Sequence, residues 1–493
     1  MTVVFPSSTP RQFAIVRGEQ SGPAEGFSQA RPWAIRSFDD VKLFSDEDLP
    51  VIHCRFADGT TAGFMLGEPV DILNLRPIEG ELTFQKSIDP QTSVDEWVED
   101  QIYQYAGRFV FVLVAAGLRR IYLDAAGSLA VVYDHERRIA GSTAASLLEP
   151  AEFVDRFDGD LFRSMKILNG GWIPAGLTAH RGINRLLCNF YLDLDDWSVH
   201  RHWPTKQFDV APDAARCALS IGESIRRTIA AYCAGGSVCM ALTGGYETRL
   251  LLSLTKKLER PIDFVCFYSK RSDRDLILSQ RLARSFGLRF RTLKFPAVSC
   301  EEANEWMARA GYCIGENRHT FAVTRELADF DYFGGGVAGE VGRGFFWRPT
   351  DGRTALNAEA VYKRLGLAPC KIVEEAVGSW FATLPFDDPL LVLDLAYLEL
   401  RVCCWASVQA YSAVGPRHVY PMVSRSAFSG MLSLPPSWRR DDNWLRLVIN
   451  ESWPELLTIP VNNLGPVREA VRSAIRVARN PALIVRRWRK RFA

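Results

Sequence analysis

Residues 241–252, ALTGGYETRLLL, run from small apolar side chains through two glycines into a leucine-rich stretch. The short apolar run at 237–242 predicts a buried strand, and a helix is predicted to begin near Thr248. A glycine-rich turn between a strand and a helix directs backbone N–H groups and the positive end of the helix dipole outward. The sequence therefore predicts an anion site at Gly244 and Gly245.

The polar residues around this turn extend the prediction to a nucleotide phosphate. Thr243 and Thr248 offer hydroxyl donors, and Arg249 offers a guanidinium suited to phosphate oxygens. Glu247 would repel a bare phosphate, but a Mg²⁺ ion between the two would accept both carboxylate and phosphate oxygens. A plain strand–turn–helix connection with a polar cap is the alternative, because two-glycine turns are common.

Strands alternate with helices on both sides of this turn. An amphipathic helix is predicted over 213–234, where Cys217, Ile221, Ile225 and Ile229 recur at every fourth residue before Gly235. A second buried strand is predicted at IDFVCFY (262–268) and a third strand at RFRTLKF (289–295), with Ser272 capping the helix between them. This alternation predicts a parallel sheet with helices on both faces, followed by a mainly helical segment over 355–465.

The chain before Pro204 has a different pattern. GRFVFVLVAAG (107–117), RRIYLDAAG (119–127) and SLAVVYDHERRIAGS (128–142) are β-branched or aromatic runs separated by turns, which predicts a meander of antiparallel strands. A hairpin is predicted around Asp195 and Asp196. His200 and His202 could share one face of a strand as metal ligands, but without a third ligand at a suitable spacing a structural role is favoured.

Composition places the chain among soluble globular proteins of two or three domains. It has 493 residues, of which 47% are hydrophobic and 24% charged. No apolar run approaches the ~18 residues of a spanning helix, and MTVVFPSSTPRQF at the start is not typical of a secretory signal. Eleven cysteines without a C-x-x-C motif favour reduced thiols and a cytoplasmic location.

Positive charge is concentrated at the end of the chain. Residues 466–493 contain eight arginines and one lysine against one glutamate, a net charge of +8, which leaves −6 for the remainder because the whole chain carries +2. Apolar residues recur there at helical spacing, so a basic C-terminal helical tail is predicted. The favoured interpretation is a solvated helix packed on the body; contact with an acidic partner, nucleic acid or an anionic membrane is the alternative.

Several segments together resemble the asparagine synthetase family of ATP pyrophosphatase-loop ligases, which includes β-lactam synthetases and lasso-peptide cyclases. LTGGYETR (242–249) is similar to the pyrophosphate loop S-G-G-x-D-S, and GGGVAGEVGRGFFW (334–347) to the second signature G-E-G-A-D-E-x-x-G-G-Y. The resemblance keeps the family's order from about residue 100 to 460. Further matching segments are GRFVFVLV, YLDAAGSLAVVY and IAGSTAASLL of the glutaminase-type domain, DFVCFYSKRSD (263–273) of the adenine-lining strand, and LSLPPSWRR (432–440) and LRLVINESWPELL (445–457) of the late helices.

This resemblance implies an α/β protein of two domains and a tail. Residues 1–205 would form a glutaminase-type antiparallel β-sandwich with helices, and residues 206–465 an adenine-nucleotide α-hydrolase-like parallel sheet with helices on both faces; 466–493 is the basic tail. It implies ATP and Mg²⁺ as cofactors and an ATP-dependent, AMP-forming ligase that joins a carboxylate to an amine. The implied residues are Leu242, Thr243, Gly244, Gly245, Glu247, Thr248, Arg249, Cys266, Gly334 and Gly335 for ATP and pyrophosphate, Glu340 and Arg343 for catalysis, and Glu247 and Glu340 for the metal, with Glu340 holding either the metal or the nucleophile.

Four departures from the family pattern bear on activity. Met1 is followed by Thr2 and the first cysteine is Cys54, so the N-terminal cysteine of a glutaminase is missing and that chemistry is predicted to be lost. The loop aspartate is Glu247, and Gly339 replaces an acidic residue. Asp442 stands where lactam-forming relatives carry a lysine, so another cation is needed. The candidates are Arg249, Arg343, Arg401 and Arg446.

Two other functions stay open on the sequence. A catalytically degenerate member would bind a nucleotide or a partner without turnover. A tRNA-modifying enzyme would suit the basic tail, but the glutaminase-type domain and the missing catalytic cysteine pair argue against it. The predicted partners of a ligase are a small-molecule or peptide carboxylate and an amine donor, with no nucleic acid expected and a homodimer left open.

Overall fold

The computed structural model describes residues 2–18, 33–89, 93–269, 273–315, 324–352, 354–407 and 415–464. The predicted basic tail over 466–493 and the predicted helix cap at Ser272 lie outside these ranges. No helix within them combines the length and the apolar composition that crossing a membrane requires.

The first part of the chain forms two mainly antiparallel sheets. The strands are β1 (Phe13–Arg17), β2 (Ala34–Phe38), β3 (Val41–Ser45), β4 (Val51–Phe56), β5 (Thr61–Asp71), β6 (Arg76–Pro77), β7 (Glu81–Phe84), β8 (Ala106–Ala115), β9 (Leu118–Leu123), β10 (Val132–Asp134), β11 (Ile139–Gly141), β12 (Ile183–Arg185), β13 (Phe190–Asp193) and β14 (Val199–Arg201). One sheet has the order β12-β10-β11-β1-β3-β2 and the other β14-β13-β9-β8-β5-β4-β7, with β6 paired to β5. Only the β4–β7 pair is parallel among these described strands.

The two sheets share one apolar core. The Phe38 ring on β2 stacks on the Phe64 ring on β5 with centroids 4.2 Å apart, and Leu43 and Val112 are fully buried in the same cluster. The predicted hairpin around Asp195 and Asp196 is present as the β13–β14 pair. The predicted antiparallel strands are therefore confirmed, while their glutaminase type stays a prediction. The single meander predicted over 107–142 is wrong, because β8 and β9 pair in one sheet and β10 and β11 pair in the other.

A third sheet of five parallel strands follows. Its strands are β15 (Val238–Ala241), β16 (Asp263–Tyr268), β17 (Phe290–Lys294), β18 (Tyr332–Gly334) and β19 (Arg417–Val419), in the order β17-β16-β15-β18-β19. The predicted parallel sheet is confirmed. The chain runs outward from β15 to β17 and then returns to place β18 beside β15, so the strand order reverses between β15 and β18, where open α/β sheets bind their ligands.

The helices of the described ranges lie between and after these strands. They are α1 (Val94–Gln101), α2 (Pro150–Asp155), α3 (Gly159–Ser164), α4 (Ala214–Gly235), α5 (Tyr246–Thr255), α6 (Asp273–Phe286), α7 (Cys300–Arg309), α8 (Ala358–Leu365), α9 (Lys371–Ala382), α10 (Pro389–Tyr397), α11 (Cys403–Trp405), α12 (Arg425–Ser433), α13 (Pro436–Arg440) and α14 (Asn443–Ser452). The amphipathic helix predicted over 213–234 is α4, where Asp213 accepts a capping bond from the Arg216 amide and Ile221, Ile225 and Ile229 are buried.

The two faces of the parallel sheet are covered differently. Val238 and Met240 of β15 join the large core that includes α4 and α5. Cys239, on the opposite face, packs in a small cluster with Leu327, which belongs to a short 3₁₀ helix. In the described part of the chain, therefore, long helices cover mainly one face rather than both faces equally, and the domain limits at 205 and 465 stay predictions.

His202 has the structural role that its spacing predicted. Its ring is buried, with Nδ1 3.1 Å from Glu99 Oε1 and Nε2 3.3 Å from the Tyr103 hydroxyl. Arg425 of α12 donates through Nε to Glu99 Oε2 at 2.9 Å, so this network joins the two parts of the chain. All eleven cysteines are free thiols.

Candidate active site

Two glycine-rich segments begin at the carboxyl ends of neighbouring parallel strands. The first, 243–245, connects β15 to α5, and the second, 334–344, begins at the end of β18. Met240 of β15 is in register with Gly334 of β18, so both segments leave the sheet at the same edge. The switch point of the sheet and the two predicted signatures therefore coincide.

The two segments meet at Glu247. A Cβ atom on Gly336 would lie 3.0 Å from Glu247 Cβ, and a Cβ on Gly339 would lie 2.9 Å from Glu247 Cγ. A side chain at either position would push against Glu247, so the two glycines allow the close approach of the segments. A Cβ on Gly339 would also lie 2.7 Å from Met422 Sδ, so an acidic side chain at position 339 would meet both Met422 and Glu247.

Hydrogen bonds within the protein hold the first turn. The Thr243 and Thr248 hydroxyls lie 2.9 Å apart, and the Gly245 amide donates to Thr243 Oγ1 at 3.3 Å. The Gly244 amide donates to Asp275 Oδ1 of α6 at 3.1 Å, and the Gly244 carbonyl accepts from the Asn462 amide at 2.8 Å. An anionic ligand at this turn would have to exchange the Asp275 bond, and Asp275 carries no motif by which sequence reasoning could have selected it.

The predicted role of Arg249 in phosphate binding is wrong. Its side chain is fully buried, and its guanidinium donates to the carbonyls of Leu456, Ile459 and Pro460, at 3.1 Å for Leu456 and 3.2 Å for Pro460. Burial lowers the pKa of the Arg249 guanidinium to about 10. Arg249 lies one helical turn beyond Gly245 and points into the core, where it fixes the segment after α14.

Arg343 instead supplies the cation at the meeting point of the two segments. Its Nη1 donates to Glu247 Oε1, and its Nε donates to Asp442 Oδ1 at 2.7 Å. Burial works against the charge on Arg343, but Glu247 and Asp442 outweigh it and raise the pKa of the guanidinium above its usual value. Asp442 therefore has an arginine of the facing segment as its partner. Arg343 pairs with these two carboxylates rather than with Glu340.

Glu340 lies beside this ion pair and bonds to a tyrosine that sequence reasoning missed. Burial and the nearby charge of Glu247 raise the pKa of the Glu340 carboxyl above its usual value, while a hydrogen bond with the buried Tyr397 of α10 partly opposes that rise. A partly buried carboxyl with a raised pKa, beside an ion pair, is suited to proton transfer. Tyr397 stands in an ordinary apolar helical pattern, so no motif pointed to it.

The remaining residues predicted for the site have mainly structural contacts. The Leu242 and Cys266 side chains are buried in the core. The Leu242 backbone amide donates to the Val265 carbonyl at 2.8 Å, and burial raises the pKa of the Cys266 thiol. The Gly335 amide donates to the Val419 carbonyl at 3.2 Å. The remaining candidate cations lie over aromatic rings. The Arg446 guanidinium is 5.6 Å from the centroid of the Tyr246 ring, and the Arg401 guanidinium is 4.7 Å from that of Trp172 and 5.0 Å from that of Phe345.

The arrangement does not fit a magnesium ion held by Glu247 and Glu340. Glu247 already pairs with Arg343, and the positive charge of that guanidinium would repel a magnesium ion at the same carboxylate. Within the described ranges, no group of three histidine, cysteine, aspartate or glutamate side chains is placed to hold a metal ion. The predicted metal role of Glu247 and Glu340 is therefore not supported by the geometry.

Replacing Arg249 with methionine tests the corrected role. We expect the free energy of unfolding to fall by about 2 kcal/mol, because three carbonyl groups lose their donor. The affinity of the folded protein for ATP should not change. Urea unfolding and calorimetric titration with ATP measure the two effects. If Arg249→Met weakened ATP binding without lowering stability, the original prediction that Arg249 binds phosphate would be supported instead.

Comparison with known proteins adds little to this geometry. No protein-family profile and no curated protein matches the chain. Among solved structures, it is similar to the glutamine-dependent NAD+ synthetase from Acinetobacter baumannii in complex with adenosine diphosphate, with 16% sequence identity and a TM-score of 0.15 over 27% of this chain and 28% of that chain. An overlap of this size carries no functional argument, so the resemblance to the asparagine synthetase family stays a prediction and the site residues carry the functional inference.

Proposed function

We propose that this protein is an ATP-dependent ligase that activates a carboxylate as an acyl-adenylate and transfers the acyl group to an amine. The observation that supports it is the meeting of two glycine-rich segments at Glu247, beside the switch point between β15 and β18. Arg343 and Glu340 stand at that meeting point, so a cation and a proton acceptor flank the place where a nucleotide would bind.

The reaction has two steps in this proposal. A carboxylate oxygen attacks the α-phosphorus of ATP, and the bond to the β-phosphate breaks to release pyrophosphate. The amine nitrogen then attacks the acyl carbon, its proton passes to the Glu340 carboxylate, and AMP leaves. The turn at Gly244 and Gly245 and the Arg343 guanidinium would bind phosphate oxygens, so this chain contributes mainly positioning and electrostatic stabilisation.

Pyrophosphate exchange tests this function. Purified protein is incubated with ATP, labelled pyrophosphate and a panel of carboxylic acids, and carboxylate-dependent return of label into ATP is expected for the substrate class. The matched control is the Glu247→Gln variant, which removes the carboxylate where the two segments meet. Exchange with no carboxylate in a broad panel, despite measurable ATP binding, would contradict the ligase proposal.

A second candidate is a nucleotide-binding protein without turnover, and one observation favours it. Asp275 already accepts the hydrogen bond of the Gly244 amide, and Arg343 already pairs with Glu247, so both groups have protein partners where a ligand would bind. This candidate predicts ATP or ADP binding in calorimetry with neither exchange nor amide formation.

The nitrogen is expected to come from ammonia or a substrate amine rather than from glutamine. The Cys54 side chain is fully buried in β4 and burial raises the pKa of its thiol, so it cannot act as a nucleophile. The Thr2 carbonyl accepts from Asn304 Nδ2 of α7 at 2.8 Å, which fixes that end of the chain on a helix of the second part. We predict no glutamine hydrolysis, and a glutaminase assay of wild type, Cys54→Ala and Thr2→Ala checks it; activity lost only in Thr2→Ala would show a threonine nucleophile.

A further inference from the structure

Arg343 lies between two carboxylates that reach it from different elements. Glu247 belongs to the first turn of α5, and Asp442 immediately precedes α14. The exposed fractions of the three side chains are 15% for Glu247, 28% for Arg343 and 19% for Asp442. Each is therefore held by the protein and still open to a ligand from solvent.

The backbone fixes this arrangement on both sides. Asp442 has a left-handed conformation with φ 57°, which a non-glycine residue adopts at an energetic cost. The Trp444 indole of α14 donates to the Gly342 carbonyl at 2.8 Å and packs so closely on Gly342 that a Cβ there would lie 2.8 Å from the ring. The start of α14 thus fixes both Gly342, which precedes Arg343, and Asp442, whose carboxylate bonds to Arg343.

The guanidinium bonds to Glu247 Oε1 and to both carboxylate oxygens of Asp442. A divalent cation at these carboxylates would therefore have to compete with the positive charge of Arg343. A guanidinium has five N–H groups, and bonds through Nε, Nη1 and Nη2 to the two carboxylates use three of them. Two N–H groups remain for phosphate oxygens, which are strong acceptors for arginine.

We propose that Arg343 is the resident cation of this site: it takes the place of a divalent ion against Glu247 and Asp442 and presents its remaining N–H groups to a polyphosphate. The inference rests on the proposed function only for the identity of that polyphosphate. It makes Asp442 a positioning residue, because its two oxygens orient the plane of the guanidinium.

The first experiment measures metal binding without nucleotide. Mn²⁺ is titrated into wild type, Arg343→Gln and Arg343→Lys, and free Mn²⁺ is followed by electron paramagnetic resonance. We expect Arg343→Gln to bind Mn²⁺ about tenfold more tightly than wild type, because Glu247 and Asp442 lose their counter-charge. Arg343→Lys keeps the positive charge and should stay near wild type.

Two controls isolate the carboxylates. In the double variant Glu247→Gln with Arg343→Gln, the gain in Mn²⁺ affinity should disappear. Arg226→Gln, which removes an arginine from an exposed ion pair with Glu223 on α4, should bind as wild type does. Equal Mn²⁺ affinity in wild type and Arg343→Gln, whether strong or weak, would overturn the proposal.

The second experiment uses inorganic tripolyphosphate in the presence of EDTA. Wild type should bind it without a divalent ion, Arg343→Gln about tenfold more weakly, and Asp442→Asn with an intermediate loss because the guanidinium is less well oriented. Unchanged affinity in Arg343→Gln would overturn the phosphate part of the inference. Tripolyphosphate binding without ATP binding would instead reject the proposed ligase and leave the role of Arg343 intact.

Discussion

Replacing Gly245 with valine is expected to abolish nucleotide binding while the protein stays folded. Gly245 has φ −81° and ψ 170°, a conformation that valine adopts without strain, and a Cβ there meets its nearest atom, Glu247 Oε2, at 3.4 Å. The added methyl groups would fill the space in front of the turn. Loss of two charge-assisted hydrogen bonds, at about 1.5–3 kcal/mol each, weakens ATP affinity by about a hundredfold or more.

Gly244 provides the matched control for this experiment. A Cβ on Gly244 would overlap Leu278 Cδ1 and lie 3.2 Å from Leu278 Cβ, and Leu278 of α6 is buried. Gly244→Ala should therefore lower the free energy of unfolding by about 1–3 kcal/mol, whereas Gly245→Val should lower it by about 1 kcal/mol, as a poorer helix cap. Urea unfolding and calorimetric titration separate the two. If Gly245→Val bound ATP as tightly as wild type does, the turn at Gly244 and Gly245 would not be part of the nucleotide site.

The parallel sheet could be predicted because its order follows from local patterns. Short apolar runs such as 262–268 alternate with a helix whose buried positions recur every fourth residue, and this pattern is independent of distant contacts. The pairing of β1 with β11 and β3 could not be predicted in the same way. The β1–β11 pair joins residues more than a hundred positions apart in the sequence. For both strand pairs, several registers would bury the same apolar side chains.

The sequence predicted where the two glycine-rich segments leave the sheet, but not which charged side chains would pair between them. Two glycine-rich segments following strands predicted that Glu247 and Glu340 would come together, since carboxyl ends of neighbouring parallel strands share an edge. The direction of Arg249 depends on carbonyl groups more than 200 residues away, which no local spacing reports. The ion pair between Arg343 and Asp442 likewise needs the packing of α14 on Gly342.

Glu340→Gln should remove amide formation and leave pyrophosphate exchange almost intact. The geometry supports Glu340 as a proton acceptor rather than a metal ligand, because Glu247 is held by Arg343 and burial raises the pKa of the Glu340 carboxyl. Glutamine is nearly isosteric but cannot take a proton from the amine, so the rate of acyl transfer should fall by about 10²–10⁴-fold. Quenched-flow detection of the acyl-adenylate and the amide product separates the two steps, and unchanged stability and ATP affinity confirm that the variant is folded.

The pH dependence of acyl transfer provides the second measurement. Glu340 must be ionised to accept a proton, so the wild-type rate should fall as pH decreases through a pKa above the usual glutamate value, and this limb should vanish in Glu340→Gln. The Tyr397 hydroxyl favours the ionised carboxylate, so Tyr397→Phe should move the limb to higher pH without abolishing transfer. A Glu340→Gln variant with full amide-forming activity, or a Tyr397→Phe profile identical to wild type, would contradict this assignment. The first outcome would remove Glu340 from catalysis, and the second would remove Tyr397 from its control.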